Sequence, residues 1–257
     1  MTHDLRRTRL EKITACAAML REPLRLIHAA HGYDVHLRPT SSNGVTMIGL
    51  SAGRPQRGKG GFNDMERLVR DFRALFDEHC MPDSHGRDTP EKELQSALIR
   101  DAYAHSREMT LLTAAFATTN APLAPIFVTD EIALPTDDGG KMVCDMLCVT
   151  RNDDGSFRPL LIELKSERAK KTLIAQVEGY AAFVDEQSAG FEALTTALLG
   201  SARLVGACQK CIVWPGSGEG ADRHAKDLAA RGIRLVAYTQ SEDGAFTLRA
   251  HDVTGTT

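Results

Sequence analysis

An α/β fold, one mixed sheet flanked by helices, is what residues 89–257 predict, and residues 1–88 read as a small α+β unit in front of it. Two observations carry this. Apolar runs at 126–134, 141–151 and 159–167 are separated by "TDDGG" and "NDDGS", turn sequences that join antiparallel strands. After them, helical and strand-like segments alternate to the end of the chain. With 42% hydrophobic and 25% charged residues, the composition is that of a globular protein with a buried core.

The front unit divides as follows. Residues 5–31 have helical periodicity, and Pro23 is expected to separate two helices. Residues 33–50 alternate apolar and polar on both sides of "SSNG", the pattern of a β-hairpin. "SAGRPQRGKGGFND" is a Gly-rich basic loop carrying Arg54, Arg57 and Lys59. It lacks the Lys-Ser/Thr ending of a phosphate-binding P-loop, so two readings stay open: a solvated loop, or a contact to nucleic-acid phosphates. Residues 65–80 form a further amphipathic helix, and 81–88 are polar and turn-rich, like a linker.

The second part begins with a helix. Thr89 is placed to cap it, Pro90 occupies the first helical position, and acidic residues follow in the first turn. Leu94 and Leu98 form its apolar seam, which Glu91, three and seven residues earlier, continues. Three strands in a meander come next, then a helix over 169–187, a strand over 208–216, a helix ending at Gly232 and a last strand over 233–240. The order from residue 89 is α-β-β-β-α-β-α-β.

Charge gives no overall basic signature that by itself suggests nucleic acid. The net is -3, divided between 14 Lys and Arg against 11 Asp and Glu in residues 1–90 and 17 against 23 in the remainder, or +3 and -6. An acidic back half suits a polyanion only if carboxylates there hold a divalent cation. No apolar run is long enough to span a membrane, and the charged N-terminus has no apolar signal core, so a cytoplasmic protein with reduced cysteines is expected. Cys144-x3-Cys148 and Cys208-x2-Cys211 have half the spacing of a zinc or iron–sulfur site. They fall in strand-like runs and read as small buried thiols.

The chemistry concentrates at "LLIELKSE". Glu163 and Lys165 are two apart on a strand and project from one face. In the preceding strand Asp145 is the only acid in an apolar stretch, and in a hairpin it lies opposite or diagonal to Glu163. Two buried carboxylates that close repel, and a hard divalent cation relieves the repulsion; Mg²⁺ takes one or two carboxylates plus waters. Lys165 is too cationic to be a ligand and is suited to polarising a water or steadying a phosphate. This group fits phosphodiester hydrolysis better than acyl transfer, for which no Ser/His arrangement is visible. On the helix downstream, Gln176 and Tyr180 are four apart and share a face.

Together these residues resemble the PD-(D/E)xK nuclease superfamily, with its restriction-endonuclease-like core of order α-β-β-β-α-β, over residues 89–214. The resemblance implies catalytic roles for Asp145, Glu163, Lys165, Glu91, Gln176 and Tyr180. It implies a Mg²⁺ site, open to Mn²⁺ as a substitute, made by Asp145, Glu163, the Leu164 carbonyl and Glu91. Cys144 stands where the family often has proline. The implied activity is Mg²⁺-dependent cleavage of nucleic acid, DNA before RNA. The slightly basic front unit is suited to contacting DNA or to forming a homodimer.

Other readings predict part of the same pattern. Asp145, Glu163 and Lys165 could be a structural ion-pair triad, Glu91 a favourable charge at a helix N-terminus, and Gln176 and Tyr180 a polar face and a half-buried aromatic. A catalytically silent nuclease-like module that binds nucleic acid or a partner protein keeps the fold without the chemistry.

Overall fold

Two sheets organise the chain, and a computed structural model describes residues 2–42, 44–50, 56–80, 90–136, 139–165, 170–216 and 221–251. The first part runs α1 (Thr2–Ala18), α2 (Arg21–His31), β1 (Val35–Pro39), β2 (Val45–Gly49), β3 (Gln56–Phe62), α3 (Met65–Arg70) and α4 (Phe72–His79). It continues with α5 (Pro90–Ala104), α6 (Thr110–Phe116), β4 (Pro125–Pro135), β5 (Lys141–Arg151), β6 (Phe157–Leu164) and α7 (Lys170–Glu186). Last come α8 (Ser188–Leu199), β7 (Gln209–Pro215), α9 (Ala221–Ala229), β8 (Ile233–Gln240) and β9 (Phe246–Ala250).

The small sheet is antiparallel in the order β1-β2-β3. Its expected hairpin forms, with Val35 paired to Gly49 and Pro39 to Val45. Gly44 at the turn has φ +117°, and a Cβ there would run into the main chain of Phe62, so the position requires glycine. The basic Gly-rich stretch is a correction. Residues 56–62, expected as loop, form β3 and pair with β2 through a shifted register. The open edge of β2 outweighs the weak strand preference of the glycines. Pro23 lies inside the first turn of α2, where a missing N–H costs nothing, and the chain breaks just before it, at residues 19 and 20. The single helix expected over 65–80 divides at Asp71. Residues 81–89, which include the expected linker and the Thr89 cap, lie outside the described residues.

The large sheet is mixed, in the order β4-β5-β6-β7-β8-β9. β5 and β6 are antiparallel, β6, β7 and β8 are parallel, and β8 and β9 are antiparallel. The α/β class, the strands from 126 to 240 and the helices over α5, α7 and α9 follow the sequence reading. Three elements are additions: α6, α8 and β9, the last of which makes 233–240 an inner strand. The chain packs as two compact units interleaved along the sequence. One comprises Met1–Arg100, Ile132–Met142 and Gln187–Leu204; the other comprises Asp101–Glu131, Val143–Glu186 and Val205–Thr257.

In the first unit α8 packs along α1. Their close approach depends on Gly190, where a Cβ would stand 2.7 Å from the Leu10 side chain. In the second unit the strands β6, β7 and β8 present two faces. Glu163, Ile212 and Leu235 are register partners on one of them. Leu173 and Val177 of α7 and Ala225 and Leu228 of α9 close over Ile212, Trp214, Ile233 and Leu235 there. Each such fully buried aliphatic side chain stabilises the fold by roughly 1.5–3 kcal/mol. Ile162, Cys211 and Arg234 are partners on the other face, where the Arg234 guanidinium lies 5.7 Å from the Phe116 ring of α6. Among the described residues no helix is long and apolar enough to cross a membrane.

Candidate functional site

The end of β6 assembles the site. β5 and β6 pair up to Met146 opposite Ile162, which leaves Asp145 and Glu163 as the next residues beyond the last pair. The Leu164 N–H donates to Asp145 Oδ2 at 2.9 Å, which ties the Asp145 carboxylate to β6. Lys165 Nζ donates to Glu163 Oε1 at 2.7 Å and stands 3.7 Å from Asp145 Oδ2. Gln176, one turn into the described side chains of α7, donates through Nε2 to the same Glu163 oxygen at 2.6 Å and to the Val143 carbonyl at 3.1 Å. Both protons of its amide are thus used, and one carboxylate oxygen receives two donors.

The Lys165 main chain is held from the opposite side. Its N–H donates to the Val213 carbonyl at 2.9 Å, and the Tyr238 hydroxyl reaches its carbonyl at 3.4 Å. The ammonium therefore extends from a backbone position fixed by β7 and β8. Val213 and Tyr238 carry no local sequence signal for this role. They arrive through the parallel pairing of strands more than forty residues later in the chain.

Burial and like charge oppose each other at this point. Glu163 is 4% and Asp145 7% exposed. Burial first, and the neighbouring Asp145 charge second, raise the Glu163 carboxyl from the ordinary carboxylate range to about 7, against the pull of Lys165. The Lys165 side chain is 24% exposed, so it is the member of the group that meets solvent.

Of the other residues singled out, Tyr180 is 2% exposed and stacks edge-on to Phe183. Burial holds its hydroxyl protonated far above the ordinary range. Tyr180 is thus a core residue one turn beyond Gln176. Glu91 lies in the first turn of α5, half-buried, in the first compact unit. Arg54 lies outside the described residues, as do the side chains of Arg57 and Lys59, whose backbones belong to β3. All six cysteines are free and buried. Burial raises Cys208 and Cys211 to about 12, so neither is a thiolate at neutral pH.

One further buried acid is not marked out by the sequence. Asp130 is 2% exposed on β4, and its charge acts on the buried Tyr103. Unlike Asp145, it is not set apart from its surroundings by the sequence, because Glu131 follows it directly. Beside it, Thr129 Oγ1 is buried with no hydrogen-bond partner among the described residues.

Asp145 and Glu163 make a pair of hard oxygen donors, and among the described residues no group of three or more His, Cys, Asp and Glu side chains is placed to hold a metal ion. A pair suffices for Mg²⁺, which keeps most of its waters. Burial first, and the Asp145 charge second, disfavour the ionised Glu163 carboxyl, and a divalent cation bound by the pair would counter both, so the donor set fits that ion. No protein-family model, no curated protein and no solved structure matches the chain.

Proposed function

We propose that this chain is a metal-dependent nuclease of the PD-(D/E)xK type, with a restriction-endonuclease-like core, hydrolysing phosphodiester bonds of DNA. The observation that carries the reading is the convergence of Asp145, Glu163 and Lys165, two buried carboxylates and one partly exposed ammonium, at the end of a central strand.

Asp145, Glu163 and the Leu164 carbonyl would hold Mg²⁺, or Mn²⁺ in its place, which would supply Lewis acidity and screen negative charge on the phosphate. Lys165 orients and polarises the attacking water, and its charge faces the phosphate from the solvent side. Gln176 holds the Glu163 carboxylate in one orientation, because its amide is itself anchored on Val143. Asp145 is held by the Leu164 N–H, so both carboxylates are oriented before any ligand arrives. Glu91 is assigned an accessory acidic role and Tyr180 a packing role behind Gln176. Arg54, Arg57 and Lys59 are assigned to the phosphate backbone, and their replacement by Ala would reduce the salt dependence of DNA binding.

Labelled single- and double-stranded DNA, incubated with wild type and Lys165→Ala in Mg²⁺, Mn²⁺ or chelator, tests this. Cleavage by wild type alone, abolished by chelator, is expected. Equal cleavage by both proteins, or cleavage in chelator, would remove the mechanism. No cleavage of any substrate, with DNA binding retained, would identify a silent binding module.

A further inference from the structure

A second charged feature lies at the other end of β6, away from Glu163. A cavity of about 560 Å³ opens there in the second compact unit, lined by Arg158, Lys210, Arg234, Asn120, Gln209 and small apolar side chains such as Ile233. Arg158 and Glu163 are five apart on one strand, roughly 16 Å apart along it. Arg158 and Arg234 project from the face opposite Glu163, while Lys210 and its register partner Ile233 reach the cavity from Glu163's own face at the far end of the strands. The cavity is therefore separate from the carboxylate site.

Three cations share its wall. Among the described residues none of them pairs with a carboxylate, and no carboxylate lines the cavity. Each is instead anchored on a main-chain carbonyl: Arg158 Nε on Ala207 at 2.8 Å, Lys210 Nζ on Arg231 at 2.9 Å, and Arg234 Nη1 on Ala121 at 2.7 Å. One donor per side chain is used, and an arginine has five and a lysine three. The cations are held in place with donors to spare. Burial lowers the Arg234 pKa, and the like charge of Arg158 adds to this, so their proximity is unfavourable until an anion arrives. Gln209 contributes as well: its Oε1 accepts from Thr150 at 2.8 Å, which fixes its NH₂ as a donor.

We propose that this cavity binds a phosphorylated small molecule of nucleotide size, its phosphate held by Arg158, Lys210 and Arg234. A dianionic phosphate matches three fixed cations better than a single carboxylate does, and arginine forks suit its geometry. The volume lies in the range of small-molecule sites and exceeds what a bare phosphate fills, and the apolar part of the wall faces the organic group. The inference stands independently of the nuclease reading.

Calorimetric titration of the full chain in chelator, where no metal-dependent cleavage occurs, tests it with AMP, adenosine, inorganic phosphate and a short single-stranded oligonucleotide. AMP is expected to bind, with adenosine at least about tenfold weaker and with affinity falling as salt rises. The double variant Arg158→Gln, Lys210→Gln should weaken AMP by at least about tenfold while leaving thermal unfolding of the free protein in place. It keeps Arg234 on Ala121, so it should fold even if a variant at Arg234 does not. AMP binding no better than adenosine, or an unchanged affinity in the double variant, would overturn the proposal. Binding of the oligonucleotide alone, lost in the double variant, would assign the cavity to a strand's backbone and overturn it as a small-molecule site.

Discussion

Lys165 Nζ stands 2.7 Å from Glu163 Oε1 and 3.7 Å from Asp145 Oδ2, so a single ammonium offsets two buried carboxylates. Lys165→Ala removes that offset. Stability at pH 8 should fall by roughly 1–3 kcal/mol, read from the urea midpoint. The loss should shrink at pH 5, where Glu163 is protonated and only one charge needs a partner. An equal loss at both pH values would show that Lys165 acts through packing and not through its charge.

Glu163 makes the metal-free protein less stable as pH rises. Its folded pKa, about 7, is raised above the ordinary carboxylate value of 4.5, so the folded chain holds this proton more tightly than the unfolded one. The stabilising proton is present below the unfolded value and is lost as pH climbs through about 7. Denaturation curves of wild type and Glu163→Gln in chelator should therefore diverge between pH 5 and pH 8, the variant gaining on the order of 2 kcal/mol relative to wild type. Parallel pH profiles would contradict the assignment of the raised carboxyl to this residue.

A cation that binds the carboxylate pair should reverse this penalty. At a hundredfold excess over its Kd, Mg²⁺ would stabilise the folded wild type by about 2.7 kcal/mol. Asp145→Asn keeps the size of the side chain but removes one charge, and its melting temperature should respond little to Mg²⁺. A thermal shift of the same size in both proteins would place the ion elsewhere.

Gln176 joins Glu163 to the Val143 carbonyl, at 2.6 Å and 3.1 Å. Gln176→Leu should cost about 1–2 kcal/mol, since two acceptors lose their donor. It should also raise the Glu163 pKa further, because a hydrogen bond to the charged form is gone. A pH-dependent unfolding series distinguishes this from a purely structural loss, which would lower stability equally at every pH.

Asp101 supports α6 from a distance. Its carboxylate accepts from Thr110 Oγ1 at 2.5 Å and from the Leu111 N–H at 3.0 Å, which supplies the cap that Met109 cannot. Asp101→Ala should destabilise the protein by about 1–2 kcal/mol, measurable as a lower urea midpoint. An unchanged midpoint would mean that water caps the helix as well.

The elements that were legible in sequence are those whose signals are local. Turn sequences at 136–140 and 152–156 bound β5 and β6, and Gly232 follows α9. The missed α6 shows the converse, because its cap comes from α5, nine and ten residues away along the chain. The glycines of β3 have little strand preference and give a loop-like sequence, and pairing with β2 outweighs that. At the site, Asp145, Glu163, Lys165 and Gln176 could be picked out as charged or polar residues at odds with apolar surroundings. Asp130, as deeply buried, stands beside Thr129 and Glu131 and carries no such contrast.

By itself the sequence determined which side chains carry charge into the sheet and which face of β6 they share, because strand alternation is a property of the local backbone. Tertiary structure alone decided what those side chains meet. Lys165 is held by Val213 and Tyr238 from strands far along the chain, Tyr180 is sealed into the core, and Arg158, Lys210 and Arg234 are gathered from three strands around one cavity. Pairing between distant strands follows from the burial of whole faces, and no short stretch of residues encodes it.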